Sequence, residues 1–231
     1  MSEDRKPNWF ANDLPALPER VAAELEATGI EAGRPLLAVD ADEVLVHFAE
    51  DFRAWLGARG FGFRLTEYRL DGAIFGPGGA ALPRAEIAPL IWEFIETETR
   101  NQRAIDEAAE ALARLAREVH IVVLTNAPAK ARACRVANLA GHGMAYPVVM
   151  NEGGKGRALR WMTERAAAPV AFVDDSAEQL ASVAKHAPEA ARLHLVGPDL
   201  LKPLVGRADA AEHHPEDWRA AEEAIRRALK L

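Results

Sequence analysis

The stretch LLAVDADEV, residues 36–44, decides the fold of this chain. Four apolar residues, Leu36 to Val39, stop abruptly at Asp40, which is typical of a strand covered on both faces of a parallel sheet. Similar apolar runs follow at 119–124, 146–150, 169–173 and 192–196. Segments with helical spacing of apolar residues lie between or after them, at 105–117, 129–139, 155–165, 177–186 and 217–231. This alternation predicts an α/β, Rossmann-like fold with a parallel sheet of about five strands and helices on both faces.

The composition narrows the class of protein. The chain has 231 residues, of which 49% are apolar and 27% charged, and its formal net charge is −7. That acidic balance argues against binding a nucleic-acid polymer or an anionic membrane by bulk charge. A single cysteine, Cys134, excludes an intrachain disulfide framework. With neither a secretory signal pattern nor an apolar run that could span a bilayer, we expect a cytoplasmic protein that acts on small molecules.

Two stretches interrupt the alternation and suggest the domain organisation. Residues 1–34 form an arm with one predicted helix, Pro18 to Ala27, which could pack on the core or mediate a homodimer. Residues 47–100 form an insert with helical patterns at 52–56 and 86–96, separated by the breaker cluster Gly76-Pro77-Gly78-Gly79. We therefore expect a core of residues 35–46 and 101–231 that carries a small, mostly helical inserted domain.

Polar residues with complementary chemistry follow the predicted strands. Ligands of open parallel sheets bind at the carboxyl ends of the strands. The residues at those ends are Asp40, Asp42, Thr125, Asn126, Lys155, Asp174 and Asp175. Four carboxylates in one pocket repel one another, and a hard divalent cation bound through oxygen ligands, Mg²⁺ above all, would relieve that repulsion. The cation and Lys155 together would attract a phosphate group.

These residues resemble the haloacid dehalogenase-like (HAD) superfamily of hydrolases. Its first motif, an apolar strand followed by Asp-x-Asp-x-(Thr/Val), is matched by LLAVDADEV, and its second, a strand ending in Thr or Ser, by IVVLTN at 121–126. Its third, a Lys at the start of a helix, is matched by GGKGRAL at 153–159, and its fourth, a strand ending in paired acids, by VAFVDDS at 170–176. All four occur in the expected order, and the resemblance covers roughly residues 36–196.

The resemblance implies a role for each matched residue. Asp40 would be the nucleophile that becomes an aspartyl-phosphate, and Asp42 the acid that protonates the leaving oxygen and then the base toward water. Thr125, the Asn126 amide and Lys155 would hold the phosphoryl oxygens. Mg²⁺ would be held by Asp40, the Asp42 carbonyl and the pair Asp174 and Asp175, with Asp175 as the direct ligand and Asp174 behind it.

The resemblance also bears on the substrate. The second acid of the first motif, Asp42, favours a small-molecule phosphate ester over a halide as the substrate. Phosphotransferase or mutase activity and a non-catalytic, ligand-binding role remain alternatives. The insert occupies the position of the superfamily's type 1 cap. Residues 44–48 are similar to the 5′-deoxyribonucleotidase branch, in which an aromatic at the position of Phe48 stacks on a base, although Glu43 and His47 stand where that branch has Gly and Asp. Phe48 is therefore a candidate substrate contact, with packing as its ordinary alternative. Arg53 is a second candidate because it lies in the insert and could bind the anionic tail of a substrate, with solvation as its ordinary alternative.

Overall fold

The structure, a computed structural model, describes residues 14–231 of the chain. Its strands are β1 (Leu36–Val39), β2 (Gly62–Phe63), β3 (Ile74–Phe75), β4 (His120–Thr125), β5 (Val148–Met150), β6 (Val170–Asp174) and β7 (Ala191–His194). Its helices are α1 (Glu19–Glu26), α2 (Ala49–Ala58), α3 (Arg84–Glu98), α4 (Ala108–Leu115), α5 (Arg132–Gly141), α6 (Gly156–Ala166), α7 (Ala177–His186) and α8 (Trp218–Leu229). None of these helices is both long and apolar enough to cross a bilayer.

A parallel sheet of five strands forms the centre of the molecule. Its strands stand in the order β5-β4-β1-β6-β7, so that β1 lies in the middle and the chain extends the sheet first to one side and then to the other. Val39 at the end of β1 is level with Val123 of β4 and Val173 of β6. The fold class predicted from the sequence is confirmed, and the reversal of strand order at β1 is where such sheets bind ligands.

Helices cover both faces of this sheet. Along β1 the side chains alternate, with Leu37 and Val39 in one hydrophobic cluster and Leu36 and Ala38 in the other. The first cluster includes residues of α4 and α8, and the second includes residues of α1, α6 and α7. Because every residue of β1 is buried, the loop that follows it begins at a fixed place at the carboxyl edge of the sheet.

The described part of the N-terminal arm packs on the core. Val21 and Leu25 of α1 are fully buried, and Glu24 accepts a hydrogen bond of 2.7 Å from the main-chain N–H of Met150. Helix α1 therefore covers edge strand β5, in agreement with the predicted helix at 18–27. Residues 1–13 of the predicted arm lie outside the described residues.

The insert contains more than the two predicted helices. Between α2 and α3, strands β2 and β3 form a short antiparallel pair in which Gly62 is level with Phe75. The sequence did not predict this pair, because two-residue strands are too short to show alternation. The insert has a hydrophobic cluster of its own, whose buried members are Phe52, Trp55, Leu56, Ile74, Ile87 and Phe94.

Candidate active site

Lys155 joins two aspartates at the carboxyl edge of the sheet. Asp40 follows β1 and Asp174 ends the neighbouring strand β6, to which Asp40 is tied by a main-chain hydrogen bond of 2.9 Å to Val173. The Lys155 ammonium lies 2.7 Å from Asp40 Oδ1 and 2.6 Å from Asp174 Oδ2. All three side chains are buried. Burial alone would lower the pKa of Lys155, but the Asp174 and Asp40 carboxylates outweigh it and raise that pKa, so the ammonium keeps its charge.

A close helix contact fixes the position of Lys155. A Cβ atom on Gly156 would lie 2.1 Å from the Ser182 carbonyl oxygen, so only glycine allows α6 to begin this close to α7. The Gly156 N–H donates to Ser182 Oγ at 3.1 Å, and the Lys155 N–H donates to Gln179 Oε1 at 2.8 Å. The start of α6 is therefore pinned to α7, and the lysine side chain is aimed at the aspartates.

The acid pair after β6 divides into two environments. Asp174 uses both oxygens inside the protein, since Oδ1 accepts from the Ser176 N–H at 2.8 Å and Oδ2 accepts from Lys155. Asp175 Oδ2 accepts a hydrogen bond from the Tyr68 hydroxyl, which reaches it from the insert. With fewer commitments to its own loop, Asp175 is the better placed of the two to bind a cation directly.

Three carboxylates at this edge are close enough to share a metal ion. One oxygen from each of Asp40, Asp174 and Asp175 lies within 4.8 Å of the others, and all three residues are buried. Burial, with Asp174 and Asp42 nearby, raises the pKa of Asp40 to about 7 although Lys155 opposes the shift. Burial and the nearby charges of Asp174 and Asp40 also raise the pKa of Asp175 well above its ordinary value. Such oxygen-only, charge-crowded sites fit Mg²⁺.

Strand β4 ends at the same edge with a buried hydroxyl. Thr125 has no exposed surface, and within residues 14–231 no group hydrogen-bonds its Oγ1. The next side chain, Asn126, is committed to the protein, because its Nδ2 donates to the Gly153 carbonyl at 2.7 Å and its Oδ1 accepts from Asn151 at 2.9 Å. Asn126 thus ties the loop after β4 to the loop after β5, so a contact of Asn126 with phosphate would fall to its main-chain amide.

The loop after β1 is braced from two directions. Glu43 has a left-handed conformation, with φ of 61°, and its carboxylate accepts from the main-chain N–H of Ala49 at 2.6 Å and of Phe48 at 3.3 Å. Burial raises the pKa of Glu43 to about 8. From the other side, Trp218 Nε1 of α8 donates to the Val44 carbonyl at 2.8 Å. Asp42 lies between these braces, with its side chain 26% exposed.

Solved structures share this arrangement of strands and helices. A HAD-family hydrolase from Deinococcus radiodurans R1, solved with bound phosphate and sodium, matches with a TM-score of 0.58 and 16% identity over 86% of this chain and 97% of its own. A haloacid dehalogenase-like family hydrolase from Streptococcus pneumoniae also matches, with a TM-score of 0.58 and 9% identity over 83% of this chain and 98% of its own. The chain has the haloacid dehalogenase-like fold.

A third solved structure with this fold is a dehalogenase. L-2-haloacid dehalogenase from Xanthobacter autotrophicus, with chloropropionic acid covalently bound, matches with a TM-score of 0.53 and 13% identity over 83% and 98% of the two chains. No protein-family model matches this chain, and no curated protein sequence matches it significantly. At these identities the likeness establishes the HAD fold only. The reaction must be inferred from the chemistry of the site.

Three polar side chains that the sequence motifs did not include contact the aspartates of this HAD-fold site, namely Arg135, Gln102 and Tyr68. The Arg135 guanidinium on α5 lies 2.5 Å from Asp42 Oδ1 through Nη2. The sequence contains a pattern that could have indicated Arg135. Arg135, Asn138 and Leu139 have the spacing of one helix face, and this face is buried, so its polar residues need partners inside the protein. Tyr68 gave no such signal, since it lies in an irregular segment between two very short strands.

The two candidate residues of the insert lie outside this cluster of charges. Phe48 packs edge-to-face on Phe94, with ring centroids 5.3 Å apart, and belongs to the aromatic cluster of the insert. Arg53 is exposed on α2 and lines a surface depression with Glu50, Ala54, Arg103 and Leu200, which includes none of the aspartates. The structure therefore brings together Asp40, Asp174, Asp175 and Lys155, with Asp42 on the loop after β1 and Thr125 at the end of β4, and leaves Arg53 on the surface.

Proposed function

We propose that this protein is a Mg²⁺-dependent phosphatase that hydrolyses a small-molecule phosphate monoester through an aspartyl-phosphate. The observation that carries this proposal is the Lys155 ammonium held between Asp40 and Asp174, beside the buried Thr125 hydroxyl. Lys155 and Thr125 are donors for phosphoryl oxygens, and they adjoin a carboxylate that can act as nucleophile.

In the first half of the reaction, Asp40 attacks phosphorus. Lys155 engages Oδ1 of Asp40, which leaves Oδ2 to form the new bond to phosphorus. As the ester P–O bond breaks, Asp42 gives its proton to the leaving alkoxide. The Thr125 hydroxyl and Lys155 stabilise the charge on the phosphoryl oxygens during transfer.

In the second half, water releases the phosphate. Asp42, now a carboxylate, takes a proton from the attacking water, and the bond between Asp40 and phosphorus breaks. Inorganic phosphate leaves, Asp40 is again a free carboxylate, and Asp42 is again protonated. The same two residues thus serve both halves of the cycle.

Mg²⁺ fits this scheme through the buried acids. Asp40 and Asp175 would hold it directly, and Asp174, which is committed to Lys155 and Ser176, would support them. When bound, the ion neutralises carboxylates that otherwise repel one another and lowers the barrier by compensating phosphoryl charge.

Asp42 favours an ester substrate over a halide. An alkoxide leaving group needs a proton, whereas a halide leaves as a stable anion, so a general acid at this position benefits only the first. The same intermediate could also be intercepted by an alcohol instead of water, which would make the protein a phosphotransferase or mutase.

The insert would act as a cap on this site. The Tyr68 hydroxyl of the insert donates to Asp175. At the start of α2, the Ala49 N–H donates to the Glu43 carboxylate of the loop after β1. A cap that excludes water from Asp40 would protect the intermediate and contact the leaving group. Phe48 and Arg53 stay candidate contacts for that group, and the domain bounds 35–46, 47–100 and 101–231 stay a prediction.

Turnover of p-nitrophenyl phosphate tests the proposal. We expect hydrolysis by the wild type that requires Mg²⁺ and is abolished by chelation, and a fall in kcat of at least about 10³-fold in Asp40→Asn with unchanged circular dichroism. Release of chloride from 2-chloropropionate by the wild type, without phosphatase activity, would replace the phosphatase assignment by a dehalogenase.

Other outcomes separate the remaining alternatives. Product formation that rises with added alcohol, and yields a new phosphate ester, would identify a transferase. Equal turnover by Asp40→Asn and wild type would remove Asp40 as the nucleophile. Binding of inorganic phosphate without turnover of any tested ester would point to a non-catalytic ligand-binding protein.

A further inference from the structure

Two donors converge on a single oxygen of Asp42. Arg135 Nη2 lies 2.5 Å from Asp42 Oδ1, and Gln102 Nε2 lies 3.3 Å from the same atom. Both donors come from buried side chains, since Arg135 is 1% and Gln102 2% exposed. Within residues 14–231, no group donates a hydrogen bond to the second oxygen, Oδ2.

The stability of the fold does not account for Arg135. Its Nε and Nη1 are buried, and neither has a hydrogen-bond partner within the described residues. A buried guanidinium with unmet donors loses more on desolvation than one ion pair returns, and apolar replacements of such pairs are often neutral or stabilising. Asp42 does not need the arginine for its own solvation, because its side chain is 26% exposed.

We propose that Arg135, supported by Gln102, is a positioning residue that directs the transferable proton of Asp42 to Oδ2. Guanidinium and carboxamide nitrogens only donate hydrogen bonds, so a proton on Oδ1 would face two donors and is disfavoured. The oxygen of Asp42 that exchanges a proton in the proposed reaction is therefore Oδ2, which is free to meet the leaving group and later the water. This inference rests on the proposed phosphatase function and adds to it the device that orients its acid.

The same contacts connect Asp42 to both segments that join the insert to the core. Gln102 Nε2 also donates to the His47 carbonyl at 3.0 Å, at the entry to the insert, and Asn138 of α5 donates to the Gln102 carbonyl at 2.7 Å. Helix α5 thus carries Arg135 and, through Asn138, also fixes the segment around Gln102 by which the chain returns from the insert to the core. The orientation of the acid is set from outside its own loop.

Replacing Arg135 by methionine tests this role with two substrates. p-Nitrophenyl phosphate has an acidic leaving group that needs little protonation, whereas phenyl phosphate has a more basic one. We expect kcat of Arg135→Met to fall by about 10²-fold on phenyl phosphate and at least tenfold less on p-nitrophenyl phosphate, with KM little changed. We expect the melting temperature to stay the same or rise. Arg132→Met, on the exposed face of the same helix, is the matched control and should leave both rates unchanged.

The outcomes separate positioning from packing. An equal loss on both substrates, or none, would overturn the positioning role while leaving the phosphatase intact, and a large fall in melting temperature would show that Arg135 serves the fold. Arg135→Lys keeps a donor in a conservative side chain and should restore part of the phenyl phosphate rate; failure to do so with a folded protein would count against the inference. Absence of turnover by the wild type would instead overturn the proposed function itself.

Discussion

The carboxyl edge of the sheet and the insert are held together by different forces. At the edge, one ammonium bridges two buried carboxylates at 2.7 and 2.6 Å. In the insert, aromatic rings pack around Phe52, whose centroid lies 5.1 Å from Phe94 and 5.9 Å from Trp55. Removing one partner of a buried charge pair lowers the free energy of unfolding sharply, because the other charge stays buried and unpaired. Removing atoms from a packed apolar cluster lowers it in proportion to the volume lost. The edge is therefore the region that demands exact residues, and the insert is the region that can vary.

The largest effect is expected at Lys155. Lys155→Met leaves Asp40 and Asp174 buried without their counter-ion, so we expect a loss of about 3–5 kcal/mol in the free energy of unfolding and no measurable turnover. Lys202→Met, which breaks only a surface pair with Asp199, should cost less than about 1 kcal/mol. Urea denaturation of the three proteins measures the difference. Similar costs for both variants would erase the contrast between the edge and the rest of the chain.

An effect of similar size on stability, but confined to one region, is expected from Phe52→Ala. Deleting a fully buried ring should cost about 3–5 kcal/mol, but we expect the loss to fall on the insert alone. Hydrogen exchange should quicken in α2 and α3 and stay slow in β1 and β6. Phe172→Ala, an equally buried ring of the central sheet, is the control and should quicken exchange throughout. Uniform quickening in Phe52→Ala would mean that insert and core unfold as one unit.

The smallest effect is expected where the two regions touch. The Tyr68 hydroxyl donates to Asp175, and desolvation of this hydroxyl together with the Asp175 charge raises the pKa of Tyr68, so it stays a donor. Tyr68→Phe should weaken Mg²⁺ binding by about tenfold, because partners that orient metal ligands have effects of that size. Titration of Mg²⁺ by calorimetry measures the change. Tyr146→Phe removes the only other tyrosine hydroxyl and should bind as the wild type does; equal weakening in both would refute the contact.

The sequence predicted the edge well because its geometry follows from local rules. Apolar runs that end in Asp40, Thr125 and Asp174 must bring those ends together once the strands are parallel and adjacent. The insert obeys no such rule. Its short strands show no period, and the contact between Tyr68 and Asp175 spans 107 residues that no pattern connects. Arg135 is an intermediate case. Its position on the buried face of α5 could be predicted from the helical spacing, but its contact with Asp42 could not.

The hydrogen bond from Trp218 to the Val44 carbonyl has a consequence for how the protein is made. The loop that carries the proposed nucleophile leaves the ribosome before the indole that braces it, because Trp218 follows Val44 by 174 residues. Domains generally fold as units during synthesis. We therefore expect this loop to gain its brace only when α8 joins the core, and a chain cut before α8 lacks that brace.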